Sequence, residues 1–144
     1  MDKELLIKKI CEAEHNKKKP GLGKDRRDDN SIGKVLRILS KSDGNVHPTE
    51  LCRMLEVTTP RITVILNDME EKGLVERLIC KDDRRKILVV LTEKGRKEVS
   101  GRRRKTEEYI RTLVEKIGPE DSEAYLRILQ AEAELYEEAH SKND

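Results

Sequence analysis

Residues 57–95 read VTTPRITVILNDMEEKGLVERLICKDDRRKILVVLTEKG, and this stretch contains the strongest structural pattern in the chain. Thr58-Thr59-Pro60 predicts the start of a helix, because a Thr side chain can cap free backbone N–H groups and Pro tolerates the first helical turn. Apolar residues then recur at the helical spacing i, i+3, i+4 and i+7. These residues are Ile62, Ile65, Leu66 and Met69. The pattern predicts an amphipathic helix that ends at Gly73.

Two β-rich runs follow this helix, Leu74–Cys80 and Lys86–Leu91, and the charged segment 81–85, KDDRR, joins them. The order helix, strand, basic turn, strand is typical of a winged helix. A helix fits the major groove of duplex DNA, and a basic hairpin tip beside it can reach an adjacent minor groove. We therefore predict that double-stranded DNA is the partner of this stretch.

The segment directly before this stretch supplies the rest of a helix-turn-helix. Asp43-Gly44 predicts a turn, and Val46 is suited to a short strand that pairs with the later hairpin. Pro48-Thr49-Glu50 then opens a helix that runs to about Glu56. Together with the helix after Thr58, it completes a helix-turn-helix over residues 48–72, in which the second helix is the candidate for recognition of DNA.

The N-terminal part predicts two further helices and a charged connection. Residues 2–16 have a helical pattern, and their apolar face needs a partner because so short a helix is marginal alone. Residues 17–30, KKKPGLGKDRRDDN, read as a solvated linker, with a phosphate-binding basic arm as the alternative. A helix over Ile32–Ser40 follows, with Asn30 or Ser31 as its cap.

The C-terminal part predicts two long helices. Thr92 is suited to cap a helix that extends to Ile117, and Gly118-Pro119 breaks it. The last helix runs to about His140. These helices carry more apolar surface than one small domain can cover, and a symmetric homodimer would bury it.

Composition limits the classes of protein that need to be considered. The chain has 144 residues, of which 35% are hydrophobic and 42% charged, with a net charge of +2. Residues 31–98 hold 14 basic and 11 acidic side chains, whereas residues 99–144 hold 8 and 11. A basic central segment followed by an acidic C-terminal segment is typical of a nucleic-acid-binding domain that is followed by supporting helices. No apolar run approaches the ~20 residues of a membrane span, and no signal peptide is evident, so we expect a cytoplasmic protein without membrane association.

Catalytic and metal motifs are not evident. The sequence contains no nucleophile elbow, phosphate-binding glycine loop or paired-carboxylate site, so we expect a non-enzyme without a cofactor. Cys11, Cys52 and Cys80 form no CxxC pair, and no metal site is expected. Cys11 lies between basic residues and could be a peroxide-sensing thiol. The simpler interpretation is a small buried residue at a dimer face.

The recognition helix offers candidate DNA contacts on the face opposite its apolar residues. Arg61 can bond guanine edges or phosphate, Asn67 can bond adenine or phosphate, and Thr63 and Val64 can touch a thymine methyl group. The candidates on this helix are Thr59, Pro60, Arg61, Thr63, Val64 and Asn67. The alternative is an ordinary solvated helix face.

The hairpin tip offers a second group of candidates, Arg84, Arg85 and Lys86. Asp83 could orient an arginine through a salt bridge, which favours Arg85 as the reader of the groove. The alternative is that these charges keep an edge hairpin soluble.

The wing resembles that of the MarR family of winged-helix regulators. The family pattern Asp-x-Arg, five residues, Leu-Thr and a nearby Gly is matched by Asp83, Arg85, Leu91, Thr92 and Gly95. Residues 69–77, MEEKGLVER, look like the family's exit from the recognition helix, and residues 117–121, IGPED, look like its entry to the last helix. The resemblance covers roughly residues 32–138.

The resemblance implies a mainly α fold with some β structure, in which N- and C-terminal helices interlock in a dimer. It also implies recognition helices in successive major grooves of a pseudo-palindromic site and wings in the minor grooves, with Arg85 as the reader and Asp83 as its support. Many members are repressors released by small phenolic ligands or by cysteine oxidation, but the sequence identifies no effector here.

We therefore predict a homodimeric transcriptional repressor with three parts: residues 1–30 for dimerisation, the winged helix 31–98, and the dimerisation helices 99–144. Two alternatives remain open at this point. One is a winged-helix module that binds another protein or has an architectural role. The other is a regulator that senses redox state through a thiol.

Overall fold

A computed structural model describes residues 1–17, 30–42, 46–83 and 85–141 of the chain. These residues belong to two compact units. One unit spans Asp25–Arg102, and the other combines Met1–Lys24 with Arg103–Asp144. Most of the predicted linker, the Asp43-Gly44 turn and the candidate contact Arg84 lie outside the described residues.

Five helices and two strands make up the described chain, and their limits lie close to those that the sequence predicts. In chain order they are α1 (Lys3–His15), α2 (Asn30–Lys41), α3 (Pro48–Leu55), α4 (Thr59–Glu71), β1 (Val75–Ile79), β2 (Ile87–Leu91) and α5 (Glu93–Ser141). α2 begins at Asn30, two residues before the predicted first residue Ile32. Apolar periodicity locates the buried face of a helix, but it does not fix the first turn.

The start and end of α4 follow from its sequence. The Thr58 hydroxyl oxygen accepts a 3.3 Å hydrogen bond from the backbone N–H of Arg61, and Pro60 lies in the first turn, as predicted. Gly73 ends the helix with a φ of 74°, a left-handed conformation that glycine adopts without steric cost. Glu56, with a φ of 56°, makes the equivalent turn after α3.

The core of the first unit is formed by α2, α3, α4 and the hairpin. All four residues predicted for the apolar face of α4 are buried, and Val46 forms the expected bridge to Val89 of the hairpin. The buried cluster consists of Val35, Leu36, Leu39, Val46, Leu51, Ile62, Ile65, Leu66, Met69, Leu74, Val75 and Val89. Burial of each large side chain contributes about 1.5–3 kcal/mol, so this cluster fixes the orientation of α4.

The hairpin is antiparallel, with a register that runs from Val75 opposite Leu91 to Ile79 opposite Ile87. Thr92 closes its open end, because its hydroxyl donates a 2.6 Å hydrogen bond to the carbonyl of Gly73. The same hydroxyl oxygen accepts a 3.0 Å hydrogen bond from the N–H of Gly95 and so caps α5, as predicted.

The second unit consists of α1 and the part of α5 after Arg102. Its apolar contacts join Leu6, Ile7 and Ile10 to four residues of α5, namely Ile110, Val114, Leu126 and Leu129. The predicted break in α5 is present, since Gly118 has non-helical angles (φ 85°, ψ 168°) and Pro119 follows it. None of the described helices combines the length and the apolar composition that a membrane crossing requires.

Candidate nucleic-acid interface

The face of α4 that points away from the core is exposed over its whole length. Arg61, Val64 and Asn67 lie on this face, and Val64 keeps 59% of its surface accessible. Within the described part of the chain, the Arg61 guanidinium has no hydrogen-bond partner. An exposed branched apolar side chain between polar ones is suited to contact a thymine methyl group, while the arginine can donate to base edges or phosphate.

The first turn of α4 presents Thr59, Pro60 and Thr63, all of which are exposed. The Thr63 hydroxyl donates a 3.0 Å hydrogen bond to the carbonyl of Thr59. This bond uses the hydroxyl hydrogen and leaves the methyl group and the oxygen lone pairs exposed. Thr63 can therefore offer an apolar or an accepting contact, but not a donor, while this bond is in place.

Arg77 of β1 connects the hairpin to the outward face of α4. Its Nε lies 2.6 Å from Oε2 of Glu70, and its Nη2 donates to Oδ1 of Asn67. Arg77 is not among the residues predicted from the sequence. A signal was present in the i, i+3 spacing of Asn67 and Glu70, followed closely by an arginine in the next strand, because such a pair can form one polar site on a helix.

The wing tip holds Arg85 in an extended, solvent-facing position. Its side chain is 96% accessible, and its Nε lies 4.0 Å from Oδ1 of Asp83. The same Oδ1 accepts a 3.0 Å hydrogen bond from the backbone N–H of Arg85. Lys86 is also exposed, and its backbone N–H donates a 3.0 Å hydrogen bond to the Asp83 carbonyl. Asp83 therefore organises the turn chiefly through backbone hydrogen bonds.

Comparison with known proteins decides the family. The model of the MarR family matches residues 34–86. The HTH-type transcriptional regulator YpoP of Bacillus subtilis (strain 168) is 34% identical over 108 residues, which span 75% of this chain and 74% of YpoP. The protein belongs to the MarR family. It is accordingly a transcriptional regulator and not an enzyme.

Other similar proteins share less sequence with this chain. YfiV of Bacillus subtilis (strain 168) is 28% identical over 63% of this chain but only 56% of its own length. The Staphylococcus aureus MepR–DNA complex is 27% identical, covers 78% of each chain and has a TM-score of 0.58. Streptococcus pneumoniae FabT in complex with DNA has a TM-score of 0.67 over 94% of this chain and 93% of its own, at 22% identity. The fold is thus that of MarR-family winged-helix regulators.

The structure explains why the wing pattern of the MarR family ends in glycine. A Cβ atom on Gly95 would lie 2.1 Å from the carbonyl oxygen of Leu74 and 3.0 Å from the Leu91 side chain. Thr92 caps α5 at the same point. These residues of the pattern therefore anchor the open end of the hairpin, whereas Asp83 and Arg85 form its tip.

The environment of Cys11 does not match that of an activated thiol. The side chain is half-buried against the apolar cluster of the second unit. Burial raises the pKa of Cys11, and the nearby carboxylates of Glu107 and Glu12 raise it further. Because the thiolate is the reactive form, this environment disfavours peroxide sensing and favours the simpler interpretation of Cys11 as a packing residue.

Proposed function

We propose that this MarR-family protein is a homodimeric repressor that binds a pseudo-palindromic operator in double-stranded DNA. The observation that carries the proposal is the exposed face of α4 next to a wing whose Arg85 side chain is 96% accessible. A side chain that extends so far from the protein has no structural role in the unit itself.

Each element is suited to one groove of DNA. The major groove is about 12 Å wide and admits a helix, whereas arginine is favoured in the narrow minor groove. In the proposal, α4 enters the major groove and the wing reaches the minor groove. The contact residues are Thr59, Pro60, Arg61, Thr63, Val64 and Asn67 from α4, and Arg84, Arg85 and Lys86 from the wing. MepR and FabT, whose folds are similar, have both been crystallised with DNA.

The helical unit supports the proposal of a homodimer. Four large apolar side chains of α1 and α5 remain exposed, from 43% for Leu5 to 67% for Tyr109. The other two are Ile128 and Leu135. Exposed apolar side chains of this size favour an interface, and a second copy of the chain would place two recognition helices on one operator. A cytoplasmic location remains a prediction, and whether a small-molecule effector exists stays an open question.

The test is selection of bound sites from random duplex DNA by the purified protein. We expect a motif with two inverted half-sites, whose spacing gives the distance between the recognition helices. Affinity should fall steeply with salt, because each phosphate contact releases counterions. Salt-insensitive or absent binding to the selected duplexes would contradict the proposal and favour a protein-binding module.

The role of the wing has its own control. Arg85→Ala should weaken binding to the selected operator by about 1–3 kcal/mol, the range for one good groove contact. Lys97→Ala removes an exposed cation that lies outside α4, the wing and residues 99–144, and it should leave binding unchanged. Equal affinities for the two variants would show that Arg85 does not read the groove.

A further inference from the structure

The backbone of β2 presents alternate residues to two different sides. In an antiparallel pair, residues that exchange hydrogen bonds with the partner alternate with residues that do not. The Cys80 N–H donates a 2.9 Å hydrogen bond to the Lys86 carbonyl, so the backbone groups of Lys86 face the β1 side. Those of Ile87 and Val89 then face away from β1. Accordingly, the Val89 N–H donates a 2.8 Å hydrogen bond to the carbonyl of Val46.

Pro48 interrupts the pairing on this second side of β2. Val46 lies opposite Val89 in an antiparallel bridge, and His47 after it is extended, with φ −86° and ψ 148°. In the same register, Pro48 comes opposite Ile87, where its backbone N–H would donate to the Ile87 carbonyl. Proline has no N–H. The Ile87 carbonyl therefore needs a donor from elsewhere.

The side chain of His47 supplies that donor. Its Nδ1 lies 3.0 Å from the Ile87 carbonyl oxygen. A carbonyl oxygen only accepts, so Nδ1 carries the hydrogen of this bond. The backbone carbonyl of His47 in turn accepts a 3.0 Å hydrogen bond from the N–H of Glu50 in the first turn of α3. His47 thus joins the start of α3 to the wing.

We infer that His47 is a positioning residue that holds the wing for DNA binding, by replacing the backbone hydrogen bond that Pro48 cannot donate. This inference rests on the proposed function. Ile87 forms the last strand pair before the tip with Ile79, and Arg85 lies two residues from it. Ile79 and Ile87 are 68% and 41% exposed, so apolar packing holds this end of the hairpin weakly. Hydrogen bonds, that of His47 among them, therefore fix the position of Arg85.

The first experiment needs no DNA. Amide hydrogen exchange followed by NMR compares the Cys80 and Lys86 N–H groups, whose bonds of 2.9 and 3.0 Å close the tip. His47→Ala should accelerate their exchange by about threefold to tenfold, the effect of one hydrogen bond. Pro48→Ala restores a backbone donor opposite Ile87, so adding it to His47→Ala should return both rates to those of Pro48→Ala alone. Unchanged rates in His47→Ala, or no rescue, would overturn the inference.

The second experiment measures affinity for the operator selected by the wild-type protein. His47→Ala should weaken binding by about threefold to tenfold, and the loss should disappear when Pro48→Ala is present. An imidazole that contacted DNA directly would not be replaced by a backbone N–H, so equal losses with proline and with alanine at position 48 would contradict the positioning role. In the Arg85→Ala protein, His47→Ala should change affinity by less than about twofold, because coupled residues are not additive. Losses that multiply would show that His47 acts independently of Arg85.

Circular dichroism checks that each variant is folded. If His47→Ala does not fold, the double variant with Pro48→Ala decides, since a folded double variant supports the replaced hydrogen bond and an unfolded one overturns it. Wild-type protein and Arg85→Ala in the same titration test the proposed function. If Arg85→Ala binds as tightly as the wild type, the proposed role of the wing fails and that of His47 in DNA binding fails with it. If Arg85→Ala weakens binding and His47→Ala does not, only the inference about His47 fails.

Discussion

Oδ1 of Asp83 lies 3.0 Å from the backbone N–H of Arg85 and accepts its hydrogen bond, while the arginine side chain extends into solvent. The aspartate therefore orders the turn without covering the guanidinium. An acidic residue beside an arginine that is proposed to bind DNA is otherwise unfavourable, since it repels phosphate. The hydrogen bond that Asp83 accepts from the backbone explains why an aspartate occupies this position of the turn.

This relationship predicts different effects for two substitutions of Asp83. Asp83→Ala removes the acceptor and should weaken operator binding by about 1 kcal/mol, the contribution of one hydrogen bond. Asp83→Asn keeps an acceptor at the same place and removes a negative charge, so it should bind at least as tightly as the wild type. Fluorescence anisotropy titration of labelled operator measures both. Tighter binding by Asp83→Ala would show that the negative charge, and not the turn hydrogen bond, determines the contribution of Asp83 to operator affinity.

Gly95 and Gly101 form a matched pair in α5. Gly95→Ala should destabilise the protein by about 1–3 kcal/mol, as overpacking does, because the new Cβ meets the Leu74 carbonyl at 2.1 Å. Gly101 has open space around it, so Gly101→Ala should stabilise the helix by about 0.5–1 kcal/mol. Urea unfolding followed by circular dichroism measures both. Similar effects of the two substitutions would contradict the close approach at Gly95.

The ion pair between Glu4 of α1 and Arg111 of α5 predicts a dependence of stability on pH. Arg111 donates two hydrogen bonds, of 2.6 and 2.9 Å, to the Glu4 carboxylate, and these lower the pKa of Glu4. A lowered folded-state pKa adds stability above the ordinary pKa of the group, and this stability is lost as the pH falls through the folded-state value.

Glu4→Gln should therefore lower the free energy of unfolding at pH 7, and its difference from the wild type should disappear in acid. Urea unfolding at a series of pH values measures the difference. Because Glu4 is exposed and Arg111 is partly exposed, added salt should also reduce it. Glu12→Gln on the same helix is the control, and an equal effect of that substitution would show that the Arg111 bonds are not the cause.

The raised pKa of Cys11 predicts low reactivity. At pH 8 its alkylation by iodoacetamide should be slower in the folded protein than in urea, and the rate should rise at a higher pH than for an ordinary cysteine. Mass spectrometry of the modified peptide follows the reaction. Cys11→Ser should leave the response of DNA binding to peroxide unchanged. Loss of a peroxide response in this variant would restore the redox-sensing alternative.

Much of α4 and the wing could be predicted because their sequence signals are local. The helical spacing of Ile62, Ile65, Leu66 and Met69, with the cap at Thr58, determined the position of α4 and its buried face. The candidate contacts on α4 were then the residues on the face that this pattern leaves exposed. The first residue of a helix was harder to predict where several polar residues precede it, as at Asn30 and Ser31, because more than one of them can accept the first N–H groups.

The sequence by itself determined the elements, the apolar core and the basic tip of the wing, since each depends on residues a few positions apart. Only the tertiary structure decided which polar groups of the wing tip and of α4 are exposed and which are held in hydrogen bonds. The capture of Asn67 by Arg77, the approach of Gly95 to the Leu74 carbonyl and the pairing of Glu4 with Arg111 each join different elements. Such contacts depend on how elements pack to within about an ångström, and no periodicity along one segment encodes that distance.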